Sequence, residues 1–262
     1  FSTLNYEVDD GVAKITLNRP NQLNSVNSVM SRELPEAWNT FNNDNSAIVA
    51  IISGIGKKSF CSGADLEDLP DMNDDIGKPT LESIKWTSMQ NNIWKPVICA
   101  VNGIVCGGGL HFVADSDIVI ASENATFFDT HVKVGLVAGL EPVGLSRKIP
   151  LESVLRMSLI GGGERLNAED AKNIGLISEI VKQENLMTRA IEIANKIKVH
   201  SPSALAKTKK AIWQSKEVGL TEALHFAWNL ISEQNQHPDF KEGSKSFIEK
   251  RLPNWKPYKS DE

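Results

Sequence analysis

Short apolar runs alternate along this chain with segments whose apolar residues recur at helical spacing. The runs Ile48-Val49-Ala50-Ile51-Ile52-Ser53, Pro96-Val97-Ile98-Cys99-Ala100-Val101 and Asp117-Ile118-Val119-Ile120-Ala121 have strand length and read as buried strands. Residues 6–8 and 13–17 flank Asp9-Asp10-Gly11, a turn signal between two short strands. Thr126-Phe127-Phe128 and 177–181 are further short strands. Met30, Leu34, Ala37, Trp38 and Phe41 predict a helix over 28–42. The same periodicity predicts helices over 81–94, 151–160, 168–174 and 184–199. Gly161-Gly162-Gly163 ends the second of these, and Asn167 and Gly175 bracket the third. Beyond Ser201-Pro202 the chain turns polar and helical over 204–215, 220–234 and 240–251. Strands alternating with helices imply a largely parallel α/β core. Residues 66–80, acidic and rich in Pro, Asn and Gly, are expected to form a mobile loop.

Composition narrows the function classes. A chain of 262 residues can bury a full α/β domain with an appendage. Its net charge of −5 argues against a dedicated nucleic-acid surface. No apolar run reaches the ~18 residues that span a bilayer. The opening Phe1-Ser2-Thr3-Leu4-Asn5 lacks the charged and apolar regions of a signal peptide. Cys61, Cys99 and Cys106 are odd in number and lack CxxC spacing, so they read as reduced packing residues and a cytoplasmic location is expected. The histidines and cysteines show no metal-site spacing, so no metal is expected.

Two glycine-rich turns carry the candidate chemistry. In the second, the strand ending at Val101 passes through Asn102 and Gly103 into Gly107-Gly108-Gly109, followed by Leu110-His111-Phe112-Val113-Ala114, the first turn of a helix. Glycines let the backbone approach a ligand, and a helix start offers N–H groups without internal partners. That arrangement suits an anion or a developing oxyanion. The first turn, Phe60-Cys61-Ser62-Gly63-Ala64-Asp65-Leu66, also follows an apolar strand and can supply a second N–H.

The turn pair, the lengths between its parts and the helical tail together resemble the crotonase family, also called the enoyl-CoA hydratase/isomerase superfamily. The resemblance spans essentially the whole chain. Its further landmarks are Asn18-Arg19-Pro20-Asn21-Gln22-Leu23-Asn24, Arg165-Leu166-Asn167-Ala168-Glu169-Asp170-Ala171 and Gly175-Leu176-Ile177. It implies an α/β spiral of ββα units over 1–200 and a C-terminal helical trimerisation region over 201–262. It further implies an acyl-CoA substrate whose thioester carbonyl is polarised by two backbone N–H groups, which fall on Ala64 and Gly108. Coenzyme A enters as part of the substrate, with no separate cofactor. Its contacts fall on Asn21, Gln22, Leu23, Ser62 and Asp65, and on Phe247 and Lys250 from the C-terminal region, often of a neighbouring subunit. Read as residues alone, Asp65 and Asp117 are turn and strand-end groups. A homotrimer or dimer of trimers is expected, and Leu220, Leu224, Phe226, Trp228 and Ile231 are too apolar for a lone surface appendage.

The chain departs from the family pattern at its chemical centre. Hydratases of the family carry one glutamate two residues beyond the glycine run and another about twenty residues later. Here those positions are His111 and His131. Imidazole can still move protons near neutral pH, and at a helix start His111 is expected to be a neutral base. Glu141, in Gly139-Leu140-Glu141-Pro142, is expected to orient His131 or act as the base itself, with Asp129 as the other candidate orienting group. Trp86 and Trp94 are read as core residues first and acyl-pocket walls second. Three functions follow. The first is an acyl-CoA hydratase or isomerase running on histidines. The second is a hydrolase of carbon–carbon bonds, like family members that cleave β-diketones, and the third is an acyl-CoA-binding protein without chemistry.

Overall fold

The computed structural model describes residues 1–69 and 83–259. Strands β1 (Leu4–Asp9) and β2 (Val12–Leu17) pair antiparallel across Asp10 and Gly11. Both turn residues have positive φ, 44° and 80°, which matches a two-residue turn to the strand twist. Helix α1 (Ser28–Asn43) follows, and the Asn27 side chain caps it by accepting from Met30 N. Its buried face is the predicted one: Met30, Leu34, Ala37, Trp38 and Phe41.

Three times in succession the chain then lays one strand in a large sheet and the next in a small one. The pairs are β3 (Val49–Gly54) with β4 (Ser59–Cys61), β5 (Val97–Val101) with β6 (Ile104–Cys106), and β7 (Ile118–Ser122) with β8 (Thr126–Phe128). Helix α2 (Leu110–Asp115) lies between β6 and β7. After β8 come α3 (Leu140–Leu145) and α4 (Leu151–Ile160), then β9 (Leu166–Asn167), α5 (Ala168–Asn173), β10 (Glu179–Val181) and α6 (Leu186–Ile197). The large sheet runs β1-β2-β3-β5-β7-β10 and the small one β4-β6-β8-β9. From β2 to β10 the large sheet is parallel, as the alternation of strands and helices requires.

Polar side chains hold the corner between the sheets. Asn102 Nδ2 donates to Gly56 O and Ser59 O while its Oδ1 accepts from Gly54 N. Asn24 Nδ2 donates to Ile55 O and Ser59 O. A Cβ at Gly103 would stand 2.4 Å from Lys58 O, so the chain can turn there only without a side chain. Both faces of the large sheet are covered. Val49 and Ile51 pack with Ala190 and Ala194 of α6, whereas Ala50 and Ile52 join Trp38 and Phe41 in the main core. Each buried Val or Ile side chain among them contributes about 1.5–3 kcal/mol.

One predicted helix is not formed over 84–94. Residues 81 and 82 of the expected 81–94 helix lie outside the described residues, and over 84–94 the chain forms only a 3-10 turn, Met89–Asn91. Side chains compete for its backbone groups: Trp86 N and Thr87 N donate to Gln90 Oε1, and Gln90 N donates to Thr87 Oγ1. Asn92, at φ 55°, ends the turn. The short elements β4, β6, β9 and α3 escape the periodicity reading because two to six residues hold too few repeats. Residues 70–80 of the expected mobile loop lie outside the described residues.

Past Ser201, whose hydroxyl accepts from Ala204 N, the chain forms α7 (Pro202–Gln214), α8 (Leu220–Gln236) and α9 (Pro238–Glu249). Leu220, Leu224, Trp228 and Ile231 of α8 and Phe247 of α9 are exposed. Among the described residues no helix is long and apolar enough to cross a membrane.

Candidate active site

The two glycine turns meet at one cavity of about 310 Å³. The first turn is zipped to the 19–26 loop. Ser62 N donates to Leu23 O, Val26 N to Gly63 O and Asp65 N to Val26 O. In this parallel bridge the Ala64 N–H is turned away from Val26, and Ala64 lines the cavity. Gly63, at φ 95°, brings the turn close: its missing Cβ would lie 3.1 Å from Gly108 N. A Cβ at Gly108 would in turn lie 3.5 Å from Ala64 N and 2.8 Å from the Trp86 ring. Ala64 and Gly108 therefore stand side by side at the cavity, with an indole as its wall.

The two histidines, brought from α2 and from the segment after β8, flank the same cavity with Glu141 between them. Glu141 Oε1 stands 3.1 Å from His111 Nε2 and 3.8 Å from His131 Nε2. Burial raises the Glu141 carboxyl pKa, but the His111 hydrogen bond and the two imidazoles outweigh it and hold the group below the ordinary carboxylate range. The far side of His131 belongs to Asp129. Both Asp129 carboxylate oxygens lie 3.0 Å from His131 Nδ1, and Oδ1 also accepts from His131 N at 2.8 Å. Asp129 is fully buried, and its hydrogen bond lifts the His131 pKa above the usual imidazole value against the opposing effect of burial. With Nδ1–H spent on Asp129, Nε2 is the nitrogen free to take a proton.

Several sequence expectations change here. Asp129, not Glu141, is the hydrogen-bonded orienting group of His131, while Glu141 pairs mainly with His111. The signal for Asp129 was its place two residues before His131 at a strand end, where the chain bends the carboxylate back onto the ring. His111 lies in the first turn of α2 as expected, and its Nε2 faces the Glu141 carboxylate. Trp86 is both core and cavity wall, its ring edge-on to His111 at 5.7 Å. Trp94 lies outside the cavity, its ring beneath Lys210 Nζ.

Of the residues expected to contact coenzyme A, Ser62 lines the cavity and Leu23 is tied to it through the loop pairing. Asn21 and Gln22 are exposed in the adjoining 3-10 turn Pro20–Gln22. Asp65 faces Arg19 at 2.8 Å, whose hydrogen bond pulls the carboxyl pKa down and ties the first turn to the 19–26 loop. Phe247 and Lys250 do not line this cavity. The three cysteines are buried, and burial pushes the Cys61 thiol up to about 12, as befits packing. Leu66, Leu69, Ile84, Val134, Leu136 and Val137 make the remaining wall largely apolar. A larger cavity of about 560 Å³ lies under α7, away from the histidines. Its buried cations are already satisfied, Lys209 by Asp117 and the Lys95 carbonyl, Lys148 by the Val113 and Ser116 carbonyls.

Comparison with known proteins places this geometry. Residues 7–258 match the enoyl-CoA hydratase/isomerase family. An (E)-benzylidenesuccinyl-CoA hydratase from Thauera aromatica is 36% identical over 251 residues, covering 94% of this chain and 96% of that protein. A short-chain-enoyl-CoA hydratase from Clostridium acetobutylicum is 34% identical, with 94% of each chain covered. A solved enoyl-CoA hydratase/isomerase structure from Mycobacterium paratuberculosis superposes with a TM-score of 0.88 at 44% identity, covering 97% of this chain and 98% of that one. The two glycine turns at one cavity, the alternating deposition of strands in two sheets and these matches end to end agree, and the chain belongs to the enoyl-CoA hydratase/isomerase (crotonase) family of acyl-CoA-processing enzymes.

Proposed function

We propose that this protein hydrates, or shifts the double bond of, an apolar acyl group carried on coenzyme A, with imidazoles in place of both family glutamates. One observation carries the reading: His131 Nε2, with its partner nitrogen bound to Asp129, opens on the same cavity as the Ala64 and Gly108 N–H groups. In the hydration direction His131 Nε2 takes a proton from water as the water oxygen bonds the β-carbon. The electron pair of the double bond moves to the thioester oxygen, where the two N–H groups hold it. His131 then returns the proton to the α-carbon. Glu141, kept anionic by His111, sits where it can hold the water. Coenzyme A is part of the substrate, and no separate cofactor is needed for these steps.

The Asp129–His131 couple also favours a second reading, water attack on a β-keto thioester with cleavage of a carbon–carbon bond. Incubation with enoyl-CoA and β-keto acyl-CoA panels in H₂¹⁸O, followed by mass spectrometry, separates the two. Hydration places ¹⁸O on an alcohol and cleavage places it on a carboxylate. Binding without turnover of any panel member overturns both and leaves a non-catalytic acyl-CoA binder. The exposed apolar residues of α8 and α9 support association into a trimer or dimer of trimers, and a monomer by light scattering at micromolar concentration would refute it.

A further inference from the structure

Gln90 lies against His111 on the short 3-10 turn Met89–Asn91, and it is buried. Its amide has one available orientation. Oε1 accepts from Trp86 N at 2.9 Å and from Thr87 N at 3.2 Å, which leaves only the NH₂ group to face His111. Gln90 Nε2 stands 3.2 Å from His111 Nδ1. An amide NH₂ donates and cannot accept, so His111 Nδ1 must be the acceptor and carry no proton. The remaining ring proton is then on Nε2, which points at Glu141 Oε1 at 3.1 Å.

We propose that Gln90 is a positioning residue that sets the tautomer of His111, making it a permanent donor to Glu141 and closing it as a proton acceptor. The backbone amides of Trp86 and Thr87 fix Gln90, Gln90 fixes His111, and His111 fixes Glu141. Protonating Nδ1 would set two donors face to face in a buried site, so the proton traffic of the cavity is confined to Glu141 and His131. The charged groups facing His111 are Glu141 from α3 and, on its own helix, Asp115, which accepts from Thr87 Oγ1 at 2.6 Å. His131 stands beyond Glu141. The Trp86 indole packs against the ring in a T-shaped arrangement. The kinetic consequence rests on the function proposed above, whereas the tautomer does not.

Two measurements test it. Neutron diffraction from deuterated wild-type crystals should show a deuteron on His111 Nε2 and none on Nδ1; a deuteron on Nδ1 overturns the proposal, whatever the substrate proves to be. The isosteric Gln90→Glu keeps an oxygen for the two backbone amides but offers His111 a second acceptor. A deuteron should then appear on Nδ1. On a thioester the wild type turns over, kcat should fall about tenfold with KM nearly unchanged, and its pH profile should gain an ionisation absent from the wild type. A variant with the wild-type protonation pattern and pH profile overturns the assignment. Failure of the wild type to turn over any thioester would sink the functional reading and leave the neutron result intact.

Discussion

The two histidines of the cavity sit in opposite surroundings. His111 is enclosed, with one nitrogen against Gln90 and the other against Glu141. His131 keeps 21% of its side chain exposed and hydrogen-bonds through Nδ1 to Asp129, with Nε2 3.8 Å from Glu141 Oε1. In the roles proposed above, the same residue type is a fixed donor in one place and an available base in the other. The partner on Nδ1 decides which: a donor there makes Nε2 a donor, and a carboxylate there leaves Nε2 free to accept. Neighbouring groups, not residue type, thus distinguish the two imidazoles.

The comparison breaks most directly at His131. His131→Ala is expected to lower kcat by about 10³-fold with ligand affinity nearly intact, since only the proton-accepting group is lost. Asp129→Asn should retain the ring but present the wrong tautomer, and a loss of similar order is expected. Unchanged turnover in His131→Ala would make that histidine structural and put Glu141 forward as the base.

A pH profile sharpens the same contrast. Because Asp129 raises the His131 pKa, the unprotonated base accumulates only above the ordinary imidazole value of about 6.5, and activity should rise with pH through that raised value. Stability should run the other way. The imidazolium is favoured in the folded state, so its contribution is full below about 6.5 and is lost as pH rises through the raised value. In Asp129→Asn both transitions should move to lower pH, which steady-state rates and thermal melts would register.

Smaller effects are expected on the other side of the cavity. Glu141→Gln should cost about 10²-fold in kcat, and His111→Ala roughly 10–50-fold, because His111 acts through Glu141. Steady-state kinetics of both variants on one thioester give the order. A larger loss in His111→Ala than in His131→Ala would reverse the roles assigned here.

Much of this molecule was legible before any coordinates. The buried strands, α1 with its buried face, the Asn167 cap and the two glycine turns are local patterns. Periodicity, turn chemistry and steric demand act over a few residues, so they survive in the bare sequence. The resemblance likewise placed Ala64, Gly108, His111 and His131 at one site. What sequence could not decide were choices made by contacts far apart in the chain. Gln90 draws backbone N–H groups out of an apparent helix and meets His111, 21 positions on. Glu141, which by sequence neighbours His131, is turned by α3 toward His111, 30 positions before it. Asp129 wins His131 only because the chain leaving β8 bends back on itself. Hydrogen-bond roles depend on which donor fills which lone pair at about 3 Å, and only the tertiary structure brings those atoms into range.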